Sequence, residues 1–155
     1  MGRFAEGTTV SVEKSRAEIE ALITRYGAQS TAFMNAPGRA LIMFEAKERR
    51  IVFELPLPSR DEKRFVLDGR GYSRSTEKQI AAWEQACRQR WRALALVIKA
   101  KLEAVESGIT TFEDEFLAHI MMPDGRTVGT HIKPSIATAY QTGQMQPLLP
   151  PPRQE

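Results

Sequence analysis

The residues with the clearest chemical potential in this chain are cations. Arg88, Arg92 and Lys99 are spaced so that, at about 100° per residue, a helix places them within roughly 40° of one another. A basic row of this kind can follow the phosphates of a nucleic-acid backbone. The same row can also be a solvated face on which arginine stems cover apolar neighbours. Both interpretations stay open from the sequence.

The segment from residue 60 to 74 adds more cations and two aromatic rings. Asp68-Gly69 and Arg70-Gly71 predict an exposed, mobile connection here. Tyr72 and Phe65 offer rings that can stack on an unpaired base. With the three helical cations, the predicted nucleic-acid-binding residues are Arg60, Lys63, Arg64, Arg70, Tyr72, Arg74, Arg88, Arg92 and Lys99. The net charge of +3 agrees with a polyanionic partner but does not require one.

Enzymatic chemistry has weaker support in the sequence. Glu115 and His119 stand four residues apart and can face one side of a helix, but a catalytic metal normally has three protein ligands, and the only other histidine is His131. An acidic first helical turn with an exposed pair explains the same residues. Cys87 falls on a predicted buried stripe, where a thiol is inert. The sequence therefore predicts no catalytic residue, metal site or cofactor, and it favours a non-enzymatic role.

The longest periodic stretch, residues 76–108, is predicted to be one helix that organises the domain. Ser75 or Thr76 can cap its start and Gly108 can end it. Apolar residues recur in steps of three or four, which keeps them on one helical face. They are Ile80, Trp83, Cys87, Trp91, Leu94, Ile98, Leu102 and Val105. This stripe is predicted to be core or interface.

The remaining patterns predict an α+β fold. A first helix over 16–26, capped by Ser11 or Ser15, precedes three strands at Ser30–Met34, Arg39–Ala46 and Arg49–Leu55. The middle strand is apolar on both faces, as expected of a central strand. After the long helix, residues 112–121 and Val128–Tyr140 predict two more helices, with 135–140 the safer part of the second because Pro134 disfavours a helix interior.

We therefore expect a single α+β domain over residues 1–145, in which a three-stranded antiparallel sheet packs against the long central helix in the order α-β-β-β-α. One or two further helices follow toward the C-terminus. Residues 1–10 are predicted to form a flexible arm and residues 146–155 a proline-rich tail. No apolar run reaches the 18 to 20 residues that span a bilayer, and the N-terminus lacks the features of a secretory signal. We expect no membrane partner.

Over about residues 15–107, the order of elements resembles that of double-stranded-RNA-binding domains, and a β-β-β-α core also occurs in single-strand annealing proteins. The loop between the first two strands, Asn35–Gly38, has no histidine, and the long helix starts Thr76–Gln79 without the RNA-binding family's lysine cluster. The resemblance therefore concerns the fold.

The segments KSRAEIEALITRYGA, IVFELPLP and WRALALVIKAKLEAVESGITTFEDEFLAHIMMPDGRTVG are similar to small proteins encoded in tailed-phage and prophage genomes. This resemblance implies a host-cytoplasmic location. The leading hypothesis is a nucleic-acid-binding accessory protein in phage DNA replication or recombination. The alternative is a protein-binding or self-assembling module, with a host protein or a second copy as partner and the long helix as interface.

Overall fold

The computed structural model describes residues 5–149 and 151, and it confirms the α+β class. In chain order the elements are α1 (Val12–Arg25), β1 (Ser30–Ala36), β2 (Arg39–Ala46), β3 (Arg49–Pro56), α2 (Lys63–Val66), α3 (Thr76–Glu106), α4 (Phe112–Phe116), a 3-10 turn (Leu117–His119) and α5 (Val128–Thr142).

The three strands form one antiparallel sheet in the order β1-β2-β3. The prediction that the middle strand is central is confirmed, and its bounds are those predicted. Ile42 of β2 faces Phe33 on one side and Phe53 on the other. The β2–β3 connection is a two-residue turn in which Lys47 and Glu48 both have positive φ, the backbone twist that suits a tight hairpin.

Serine side chains cap the helices α1 and α3. Ser11 Oγ accepts a hydrogen bond from the Lys14 amide at 3.1 Å, so α1 begins four residues earlier than predicted, and Ser15 is buried inside the helix. Ser75 Oγ accepts from the Lys78 amide at 3.4 Å, and α3 ends just before Gly108. The predicted long helix is thus confirmed almost to its bounds.

The core lies between one face of the sheet and the pair of helices α1 and α3, which pack on each other. Alternate residues of β2 and β3 point into it, as the alternation in β3 predicted. From α3 the buried members of the predicted stripe are Cys87, Trp91, Leu94, Ile98 and Leu102. These buried residues of the stripe therefore belong to the core and are not an interface. Of the residues in the stripe, only the first, Ile80, is exposed.

The predicted helix over 112–121 is wrong in its second half. The α-helix ends at Phe116 and a 3-10 turn follows. The chain then pairs with the free edge of β3: Ile120 forms a bridge with Ile51, and the Met121 amide donates to the Arg50 carbonyl at 2.8 Å. Because this pairing extends the sheet and buries Ile120, it outweighs the helical preference of the segment.

The predicted last helix over Val128–Tyr140 is confirmed, and Pro134, which made 135–140 its safer part, does not interrupt it. Thr127 caps α5 by accepting the Thr130 amide at 3.2 Å, and the helix continues through Pro134 to Thr142. The proline costs about 3 kcal/mol in a helix interior. Capping, together with the docking of Val128 on the core and Gly129 on Ala118, offsets that cost.

The termini are described in part. Of the predicted arm, residues 1–4 lie outside the described residues, and the Thr8 carbonyl accepts a hydrogen bond from Gln85 Nε2 of α3 at 2.9 Å. Of the predicted tail, residues 150 and 152–155 lie outside, and the Pro147 carbonyl accepts from Ser135 Oγ of α5 at 2.9 Å. Among the described helices, none combines the length and apolar character needed to cross a membrane.

Candidate nucleic-acid interface

The segment from residue 60 to 74, predicted as an irregular connection, contains the short helix α2 and packs on α3. Phe65 anchors it, since this ring is buried, with 4% of its surface exposed. Phe65 is therefore unavailable for the base stacking predicted from the sequence. The helix was missed because four residues are too few to show a helical period.

A tight turn after α2 is organised by Asp68. Its Oδ1 accepts the backbone amides of Arg70 at 2.9 Å and Tyr72 at 3.0 Å, and its own amide donates to the Tyr72 carbonyl at 2.8 Å. The hydrogen bonds that the Asp68 carboxylate accepts, first from the Tyr72 amide and then from the Arg70 amide, lower the pKa of Asp68 below its ordinary value. Leu67 and Ser73 close the turn with a bridge. The sequence predicted an exposed, mobile connection here, whereas Asp68 holds residues 68–72 in an ordered turn.

The tip of this turn presents Arg70 and Tyr72 to solvent. The Tyr72 side chain is 72% exposed, although large aromatic residues usually cover at least one ring face. Lys63 is exposed and Arg74 half-buried on the same segment. Within residues 5–149 and 151, none of the four side chains makes an ion pair or a hydrogen bond. We call Lys63, Arg70, Tyr72 and Arg74 the basic loop surface.

Two other predicted residues of the segment are engaged. The Arg60 guanidinium lies over the Trp83 ring, 4.3 Å from its centroid. The Arg64 Nε contacts a Glu62 carboxylate oxygen at 2.6 Å, and its guanidinium lies 4.6 Å from the centroid of Phe65. Both cations therefore cover rings of the protein itself, and they flank the basic loop surface rather than extend it.

A groove of about 450 Å³ lies between the start of α1 and α3. Its lining includes Trp83, Trp91, Cys87 and Arg88, together with the acids Glu13 and Glu84. Trp83 is held in place because its Nε1 donates to the Pro58 carbonyl at 2.8 Å. Burial raises the pKa of the Cys87 thiol, and the charges of Arg60 and Arg88 oppose this shift. Of these two predicted cations, Arg88 is among the residues that line the groove. The predicted burial of Cys87 is confirmed.

The predicted basic row on α3 is divided in the folded protein. Arg92 forms an ion pair with Glu18 of α1, and the two side chains are only 23% and 32% exposed. Arg88 donates to Gln85 Oε1 at 2.6 Å on its own helix. Lys99 is exposed but lies about 24 Å along α3 from Trp83, at 1.5 Å per residue. Arg88 therefore lines the groove, and neither Arg92 nor Lys99 joins the basic loop surface.

Glu115 and His119, the pair considered for metal binding, have separate contacts. Glu115 Oε1 pairs with Lys101 Nζ at 3.0 Å. The His119 ring stacks on Phe53 with centroids 4.1 Å apart, and burial, followed by the charge of Lys101, lowers its pKa. Across the described residues, no three His, Cys, Asp or Glu side chains cluster closely enough to hold a metal ion.

Comparison of the chain with protein-family models, curated protein sequences and solved structures found no match.

Proposed function

We propose that this protein binds single-stranded nucleic acid through the basic loop surface. The observation that carries the proposal is the exposed Tyr72 ring on an ordered turn, with Arg70 and Arg74 two residues before and after it in the chain. Each side chain has a defined part: the ring stacks on a base, and the cations contact the phosphates on either side.

The exposed ring favours a single strand over a duplex. Bases in a duplex are stacked on one another, whereas an unpaired base offers its face to an aromatic side chain. Such a contact is sequence-tolerant because every base has a π face, and it contributes about 1–3 kcal/mol per base. The cations add an affinity that falls as salt rises, because phosphate binding releases counterions.

The Asp68 turn prepares the surface for binding. Two hydrogen bonds from the Arg70 and Tyr72 amides fix the backbone before any ligand is present. A preformed surface loses less conformational entropy on association than a mobile loop does. The ionised Asp68 carboxylate accepts hydrogen bonds from these amides, so its negative charge is stabilised within the turn.

The groove offers a second contact for the same strand. Arg60 begins the loop segment and lies over Trp83, and Arg88 lines the groove one helical turn farther along α3. A role in phage DNA replication or recombination, the leading hypothesis from the sequence, would use such sequence-tolerant binding.

Fluorescence anisotropy with a labelled oligothymidine tests the proposal. We expect Tyr72→Ala to weaken binding about tenfold, as a stacking loss near 1.4 kcal/mol implies. Tyr140→Ala is the matched control, because Tyr140 is 89% exposed on α5, outside the loop. We expect this control to bind like the wild type.

Charge is tested in the same assay. Arg70→Glu should weaken binding and flatten its salt dependence, whereas Lys133→Glu on α5 should leave both unchanged. A duplex of the same length should bind less tightly than the single strand. The proposal is wrong if the wild type shows no binding at low salt, or if Tyr72→Ala and Tyr140→Ala have equal affinity.

A further inference from the structure

The two edges of the sheet are treated differently by the rest of the chain. Along the outer edge of β3, Ile120 forms a bridge with Ile51 and the Met121 amide donates to the Arg50 carbonyl. β1 forms the opposite edge. Among residues 5–149 and 151, none pairs with the outer side of β1. An open edge of this kind presents a row of backbone donors and acceptors that another strand can satisfy.

The hairpin register identifies the open groups. Ala36 and Arg39 flank the two-residue Pro37-Gly38 turn and face each other, which makes them a hydrogen-bonded pair. Antiparallel pairing alternates, so Ser30, Ala32, Met34 and Ala36 bond to β2. The backbone groups of Thr31, Phe33 and Asn35 therefore point away from the sheet. In the described part of the chain, no hydrogen bond reaches these groups.

The composition of β1 lacks the usual protection of an edge strand. Proteins commonly block open edges with charged residues, proline or a bulge. β1 reads STAFMNA and has no charge and no proline, and its pairing with β2 runs without a bulge. In contrast, β3 carries Arg49, Arg50, Glu54 and Pro56. The covered edge is thus the charged one, and the open edge is neutral.

The sheet face away from the core continues this neutral surface. Ala32 faces Met43, Met34 faces Leu41, and Val52 faces Met43 from the other side. None of these side chains is fully buried, and Met34 is 46% exposed. The face is bounded at its ends by ion pairs, one of Glu45 with Arg50 at 2.7 Å and the other of Arg39 with Glu54 at 3.4 Å. A strand that paired with the open edge of β1 would therefore lie beside apolar side chains on this face.

We propose that β1 pairs antiparallel with β1 of a second copy of this chain, about a twofold axis at Phe33. An isologous contact of this type needs a strand that is complementary to itself. Centred on Phe33, the register places Met34 opposite Ala32 and Thr31 opposite Asn35. The large Met34 side chain meets the small Ala32, the polar Thr31 and Asn35 meet each other, the two Phe33 rings meet at the axis, and no charged residues oppose each other. Both copies then share one continuous sheet.

The axis also places the Phe33 rings together on the core side. In one copy, Phe33 lies 6.3 Å from Trp91 between ring centroids, and the Arg16 guanidinium lies 5.0 Å from the Phe33 centroid. The two Phe33 rings would extend this cluster across the axis. The basic loop surface has no residue in β1, so dimer formation and nucleic-acid binding are separate properties with separate tests.

Cysteine cross-linking tests the register. In Thr31→Cys/Asn35→Cys, the two thiols of one chain are about 13 Å apart along the strand, too far for an internal disulfide. In the proposed dimer, the thiol at position 31 of one copy faces the thiol at position 35 of the other with Cα atoms about 5.5 Å apart, which is within the range for a disulfide. We expect the double variant to form a covalent dimer on mild oxidation. Each single variant is the matched control and should stay unlinked, because its thiol then lies about 13 Å from its symmetry mate along the strand.

Mass measurement in solution tests the dimer without any new cysteine. We expect the wild-type chain to have twice the monomer mass at high micromolar concentration. Asn35→Pro removes one outward amide while sparing the bonds to β2, so it should give a monomer with an unchanged circular dichroism spectrum. A wild-type chain that is monomeric throughout would overturn the proposal, as would single variants that cross-link as efficiently as the double variant.

Discussion

The ion pair between Arg92 and Glu18 gives the sharpest test of how the basic residues on α3 are used. The pair joins α1 to α3, and its side chains are 23% and 32% exposed. Exposed pairs contribute about 0.2–1 kcal/mol to stability, whereas removing one partner of a fully buried pair costs about 3–5 kcal/mol. The pair lies between these limits, so we expect a coupling free energy of about 1 kcal/mol.

A double-mutant cycle measures this coupling. The free energies of unfolding of the wild type, Arg92→Ala, Glu18→Ala and the double variant can be obtained from urea titrations. The fluorescence of Trp83 and Trp91, both on α3, reports the transition. Lys99→Ala is the matched control, because Lys99 is an exposed cation of the same helix and its loss should change stability by less than about 0.5 kcal/mol.

The same variants should be titrated with the labelled oligothymidine. Because Glu18 neutralises Arg92, we expect Arg92→Ala to keep wild-type affinity once it is folded. A coupling near zero, together with a clear loss of affinity in Arg92→Ala, would refute the reasoning. In that case Arg92 would be free to contact phosphate, as the sequence hypothesis supposed.

Two further predictions concern the C-terminal part of the fold. Gly129→Ala should destabilise the protein by about 1–3 kcal/mol, since its new Cβ would lie 2.9 Å from the Ala118 carbonyl oxygen; a thermal melt in which the variant is more stable would show that this contact is absent. Burial and Lys101 lower the pKa of His119, so the folded state takes up this proton less readily than the unfolded chain. The His119 contribution to stability is therefore complete above the ordinary value of 6.5 and is lost as the pH falls through it toward the folded pKa. Urea midpoints of His119→Gln from about pH 5 to 8 should fall less on acidification than those of the wild type, and equal slopes would contradict the assignment.

Much of the fold was predictable because its signals are local. The 3.6-residue period of α3, the alternation of Ile51, Phe53 and Leu55, and the two-sided apolar character of β2 each follow from which side chains must leave water. Serine caps and glycine stops are also read from neighbouring residues. For these reasons the order of the elements from α1 to α3, apart from the short helix α2, was predicted correctly, as were the central strand and the buried stripe.

The errors arise where distant segments meet. Residues 117–121 leave the predicted helix because β3 offers an edge 70 residues earlier in the chain, a partner that no local pattern reveals. The helix over Val128–Tyr140 was predicted, but its unbroken course through Pro134 was not, because that depends on a first turn that is capped and docked on Ala118. Long-range burial and pairing outweigh local propensity at both sites.

The candidate site divides in the same way. The sequence alone determined which residues are basic or aromatic and that Arg70 and Tyr72 lie in a turn. Only the tertiary structure decided which of these groups are free. In the folded protein Arg92 pairs with Glu18, Phe65 is buried, and Tyr72 is exposed. Whether a side chain is covered depends on elements that are far away in the sequence. The open edge of β1 was likewise decided by how the sheet is assembled, since a strand's sequence does not state whether a neighbour will cover it.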